Sequence, residues 1–169
     1  VVGPTDAAAR QPDDPRWRTV ELALAADALT RVLHGDCATA RVSGAVEVRF
    51  GPWTPQPDGR LRGSVVVERR SGDEPVILHK VAGNILFRID TGDGDLGTLP
   101  PGQDRLEAPV TADAARCDGH AVGEVKRQHR YRFQSWVSVG EDAQLPTVVA
   151  VSDEQADQLE EMLLLRCDL

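Results

Sequence analysis

The sequence predicts an α+β fold: mainly antiparallel strands in two related halves, each with one amphipathic helix packed on the sheet layer. Three observations point there. Short runs rich in valine, isoleucine and aromatic residues alternate apolar and polar side chains, as half-buried strands do. Two longer stretches, one near each end, repeat their apolar residues at helical spacing. Those two stretches also echo each other. Ala26-Asp27-x-Leu29-x-x-Val32-Leu33-x-x-x-Cys37 matches Ala156-Asp157-x-Leu159-x-x-Met162-Leu163-x-x-x-Cys167. A second echo sets Val48-Arg49-Phe50-x-x-Trp53 beside Tyr131-Arg132-Phe133-x-x-Trp136. Two related helix-on-sheet units explain both echoes; chance likeness between two amphipathic helices is the alternative.

Residues 1–14 are small, polar and proline-containing, and read as a flexible leader. The expectation is that an export or anchoring segment was removed ahead of them; a shortened terminus would look the same. The first helix-plus-β unit is expected over 15–104 and the second β unit with its helix over 105–169, the pair possibly forming one pseudo-symmetric domain. Asp14 then Pro15 is a helix start, a capping carboxylate followed by proline at the first helical position. Trp17, Val20, Leu24, Ala28 and Val32 carry the helix to about His34, with Gly35 as its stop.

Strands are expected over Ala45 to Phe50, Leu61 to Glu68, Val76 to Val81 and Ile85 to Ile89. Prolines and Asp58-Gly59 mark a turn between the first two, and Gly83-Asn84 a tight turn between the last two. Thr91 to Asp104 has no period and reads as loop. Leu106 to Val110 reads as an edge strand limited by Pro109. From Gln128 to Val139 the alternation is long: His129, Tyr131, Phe133, Ser135, Val137 and Val139 share one face. Thr147 to Val151 is a last strand. Ser152 and Gln155 form a capping box, and Ala156, Leu159, Met162 and Leu163 mark the buried face of the closing helix.

The chain has 169 residues, 41% hydrophobic and 27% charged, with a formal net charge of -8. This is globular composition, and the acidic balance argues against nucleic acid and anionic membranes as partners. No apolar run approaches the ~20 residues needed to span a bilayer. Lys126, Arg127, Arg130 and Arg132 form a basic run interleaved with aromatics, a candidate binding surface together with Trp53 if that ring is exposed. Pairing to the chain's own carboxylates is the plainer reading.

Cys37, Cys117 and Cys167 make an odd count. In an exported protein this gives one disulfide and one spare thiol, and spacing alone does not choose the pairing. The second unit favours Cys117–Cys167, which would pin its helix to the strand layer and leave Cys37 free. His34-x-x-Cys37 and Cys117-x-x-His120 mirror each other and would supply a tetrahedral zinc set, in direct competition with that disulfide. Cys37 with a histidine could also serve as nucleophile and base. Gly92-x-Gly94-x-x-Gly97 fits a dinucleotide fingerprint as text, but Leu99-Pro100-Pro101-Gly102 forbids the helix that must follow. Asp90, Asp93 and Asp95 do not keep the register of an EF-hand loop, which leaves an irregular calcium loop as an alternative to a solvated acidic turn.

The motif Arg116, Cys117, Asp118, His120, Glu124, Lys126, Arg127 and Phe133 resembles that of a group of small uncharacterised exported proteins and lipoproteins of actinobacteria. The resemblance covers mainly Leu106 to Cys167. It implies export and a β-rich fold, and no activity. The expectation is therefore a non-catalytic extracytoplasmic binding or structural module. Its partner would be an envelope protein or small ligand, with no cofactor and no nucleic acid. The alternatives are a thiol- or histidine-based hydrolase and a zinc-stabilised module.

Overall fold

The computed structural model describes residues 37, 39–118 and 130–169. The expected leader and first helix, with His34, His120, Glu124, Lys126 and Arg127, lie outside them. Among the described residues nine strands and a closing helix follow one another: β1 (Val46–Phe50), β2 (Thr54–Pro55), β3 (Leu61–Arg69), β4 (Val76–Ala82), β5 (Phe87–Asp90), β6 (Gly97–Leu99), β7 (Arg105–Ala114), β8 (Phe133–Val139), β9 (Leu145–Val149) and α1 (Asp153–Cys167). The strands pair antiparallel in two sheets. The larger runs β1-β3-β7-β5, with β2 also on β3; the smaller runs β6-β4-β8-β9. Among the described residues no helix is long and apolar enough to cross a membrane.

Alternating apolar residues build the core. Val46, Val48 and Phe50 of β1, Val76 and Leu78 of β4, and Phe133, Val137 and Val139 of β8 are all buried. Phe133 meets Phe50 edge to face at 5.2 Å and Phe87 at 5.9 Å, so aromatic rings from both sheets meet in the core. The sheets are also stitched at one side. Phe50 N–H donates to Ala150 O at 3.3 Å, and Ala150 N–H to Val48 O at 2.8 Å. On the outer face of the larger sheet, Val66 lies opposite Arg49 and Glu107. Arg49, Glu68, Arg105 and Glu107 form a continuous chain of ion pairs there.

Ser152 caps α1 as expected: its side chain accepts from Gln155 N–H, and the Gln155 side chain accepts from Ser152 N–H. Leu159, Met162 and Leu163 are its buried residues. The Asp58-Gly59 turn is a three-residue hairpin loop in which Gly59 takes the left-handed φ of 79°.

Several expectations are corrected. Gly83-Asn84 does not join a hairpin, because β4 and β5 belong to different sheets. Neither residue takes the positive φ that a two-residue hairpin turn of this type needs. Asn84 instead turns a corner, its Oδ1 accepting from the Leu86 and Phe87 amides. Gly97–Leu99, read as loop, pairs with β4. β7 runs far beyond Val110 and is flanked by β3 and β5, yet Pro109 stays clear of β5, which pairs only with 111–114. β8 begins at Phe133, and the expected strand is not formed over Arg130 to Arg132; Gln128 and His129 lie outside the described residues. Residues 39–45 are helical where no element was expected; only Val42 is buried there, too little to show a period.

Candidate functional site

Between β4 and β8 the pairing slips by one residue. Ile77 faces Ser138 and Leu78 faces Val137, but Lys80 then faces Trp136, so His79 is extra. This β-bulge turns two consecutive side chains, His79 and Lys80, away from the core, while Leu78 before them and Val81 after them stay buried. The result is a polar group on the outer face of the smaller sheet. His79 Nε2 lies 2.8 Å from Ser138 Oγ, and His79 Nδ1 lies 2.9 Å from Asp95 Oδ1. Lys80 Nζ stands 4.1 Å above the Trp136 ring on the same face.

Local structure supplies each member. Ser138 is on an interior strand and is only 6% exposed. Asp95 comes from the turn after β5, where Gly92 and Gly94 take φ of 75° and 85°. The next residue ties that turn to the bulge, Leu96 N–H donating to Leu78 O at 2.9 Å. The Asp95 side chain is 61% exposed. An ionised carboxylate only accepts, so the proton between Asp95 and the imidazole sits on Nδ1. In the neutral imidazole Nε2 is then an acceptor for the Ser138 hydroxyl.

The expected site residues are placed elsewhere. Cys117 and Cys167 form the disulfide, with Cα atoms 5.1 Å apart. It joins the segment after β7 to the end of α1. Cys117 therefore has no thiolate to give a metal, and the mirrored zinc set lacks one of its four ligands in this state. Cys37 is free and exposed. Trp53 is no binding platform: it is 4% exposed, packed on Phe50 at 5.0 Å. Gly63 makes its room, since a Cβ there would come within 2.4 Å of the Trp53 ring. Among the described residues no three His, Cys, Asp or Glu groups converge as metal ligands.

The basic run divides. Arg130 is drawn inward, its Nη1 2.7 Å from Glu160 on α1. Tyr131 donates its hydroxyl to the same carboxylate. Burial, and then that hydrogen bond, push the Tyr131 phenol up to about 12. Arg132 stays exposed and forms no ion pair with a described carboxylate. It lines a cleft of about 460 Å³ with Val148, Val151, Ser152, Asp153 and Ala156, where β8, β9 and the start of α1 come together. Beside the disulfide, Asp113 of β7 has only 7% of its side chain exposed and holds Arg166 at 2.9 Å and Arg88 at 2.7 Å.

No family model and no curated protein matches this chain. Function must be argued from the geometry alone. Sequence reasoning weighed Asp95 only as part of an acidic loop and did not link it to His79 and Ser138; the three are separated by 59 and 16 residues and meet only through the order of the smaller sheet.

Proposed function

We propose that this chain is an extracytoplasmic binding module that takes a small anionic ligand, or an acidic segment of an envelope partner, in the cleft at Arg132. The observation that carries the reading is a guanidinium with no carboxylate partner among the described residues, beside the exposed Val148, in a concave surface. Arg130, two residues away, is spent on Glu160. The cleft is well supported, because the capping box fixes the start of α1 and the β1–β9 stitch fixes Ala150.

The compartment belongs to the same proposal. Structural disulfides persist where the surroundings are oxidising, and the Cys117–Cys167 bond favours such a place. The resemblance of the Arg116 to Phe133 motif to actinobacterial exported proteins points the same way. The two related halves are part of the same proposal and rest on the sequence echo, whose Phe50 and Phe133 meet in the core. The test is a titration of isotope-labelled protein with a panel of small carboxylates and phosphates, followed by amide shifts. Shifts clustered over 148–156 and abolished by Arg132→Ala are expected. Shifts that survive that substitution, or none at millimolar ligand, refute the reading.

A further inference from the structure

The polar group on the smaller sheet is not needed to bind anything at Arg132, and its order is that of a nucleophile, a base and an orienting carboxylate. We propose that Ser138, His79 and Asp95 form a nucleophilic site for acyl transfer, acting on small carboxylic esters. Geometry comes first: both links are at hydrogen-bond distance, 2.8 Å and 2.9 Å, and they use opposite nitrogens of one ring. The proton assignment follows from the chemistry of the carboxylate and leaves Nε2 ready to accept the Ser138 proton. The serine lies opposite Ile77 of β4 and one residue beyond the β8–β9 ladder, so its backbone is fixed by the sheet. A bulge that adds one residue to β4 is what aims the imidazole at it. Lys80 and Trp136, next along the same face, offer a cation and a flat ring to the acyl donor.

The step balances without a co-reactant. Ser138 Oγ bonds to the ester carbonyl carbon while its proton passes to His79 Nε2. The carbonyl carbon–alkoxide bond breaks, and the alkoxide leaves with that proton as an alcohol. Water then attacks the acyl-serine by the same proton route, releasing the carboxylic acid and restoring the hydroxyl. Asp95 accepts from Nδ1–H throughout and stabilises the imidazolium formed on the way. Because it is largely exposed, water screens part of that effect.

The test uses the full chain with Cys37 blocked by N-ethylmaleimide. A fluorophosphonate probe is added, and adducts are located by intact and peptide mass. One adduct on Ser138 is expected, forming faster as pH rises in a profile with a single titrating group. His79→Gln should slow it by about a hundredfold or more. Asp95→Asn should slow it by about tenfold, less than for a buried partner. A p-nitrophenyl acetate burst should appear in the same protein and vanish in Ser138→Ala. Should Ser138→Ala fail to fold, Ser138→Cys, made on a Cys37→Ser background in place of the maleimide block, keeps the side-chain volume, and the burst should appear as a thioester adduct. The proposal is overturned by an adduct elsewhere or nowhere, or by an undiminished rate in a His79→Gln variant that melts like the parent. The ligand cleft is read by its own amide-shift titration, so this site and that cleft stand or fall separately.

Discussion

Replacing both Cys117 and Cys167 with serine should cost about 4 kcal/mol, and almost all of it through the unfolded chain. The bond spans a sequence separation of 50. Closing a loop of that length removes denatured-state entropy worth about 4 kcal/mol at room temperature. The folded side loses little, because α1 has other anchors. Leu159, Met162 and Leu163 are buried, Arg166 Nε lies 2.9 Å from Asp113, and Arg166 Nη1 donates to Asp58 O at 3.1 Å. Thus the double variant should keep native helix signal and lower its melting temperature by about 8–16 °C for a chain of this size. Urea unfolding followed by tryptophan fluorescence measures the loss directly, and far-ultraviolet circular dichroism checks the helix. A loss under about 1 kcal/mol would mean that the loop-closure argument does not apply here. A helix that melts in native buffer would mean that the bond holds the folded state itself, against the anchoring just described.

The single tyrosine makes a clean titration possible. Tyrosinate absorbance should rise at about pH 12 in the folded protein and near 10 in denaturant. The folded value is the higher one, so the stability it contributes is complete below pH 10 and is lost as pH rises through 12. Screening at this part-exposed site trims the full two-unit effect to about 1 kcal/mol, and Tyr131→Phe should abolish that alkaline loss. Gly83→Ala should destabilise by about 2 kcal/mol or more. Its new Cβ would lie 2.1 Å from the Phe87 carbonyl oxygen, which is backbone and cannot turn aside. Ser152→Ala should cost about 1 kcal/mol in thermal melts by freeing one end of the capping box.

What was legible in the sequence was local. Val46 to Phe50 and Phe133 to Val139 alternate cleanly because each has one face on the core, and the structure places them as strands. Ser152 and Gln155 announce the start of α1 because a cap depends on residues three apart. The disulfide followed from asking what would tie a helix end to its sheet. Long-range partnership was not legible. Gly83-Asn84 has the composition of a hairpin turn, and nothing local says that the chain leaves one sheet for the other there. Leu106 to Val110 was cut short at Pro109, since a proline removes a ladder donor. The strand continues because β5 joins only beyond that proline.

The bulge, by contrast, did leave a mark. Along β4 the buried residues are Val76, Leu78 and then Val81, so the parity of the apolar face changes between Leu78 and Val81. A regular strand with that sequence would turn Lys80 inward and Val81 outward, placing an ammonium group in the core. One surplus residue resolves the conflict. Removing His79 would resolve it equally well, for then Val76, Leu78 and Val81 would alternate with Ile77 and Lys80 without interruption. The fold therefore does not need the residue that the ladder skips. Deleting His79 should give a protein with a continuous β4–β8 ladder and undiminished thermal stability, the regained pairing offsetting the lost bonds to Ser138 and Asp95. Amide exchange along Leu78 and Trp136 would report the restored ladder. If the deletion instead unfolds the smaller sheet, the bulge is part of the architecture and its histidine a structural plug. If the sheet survives, an extra residue kept at some cost in pairing is hard to explain except by what its imidazole does on the outer face.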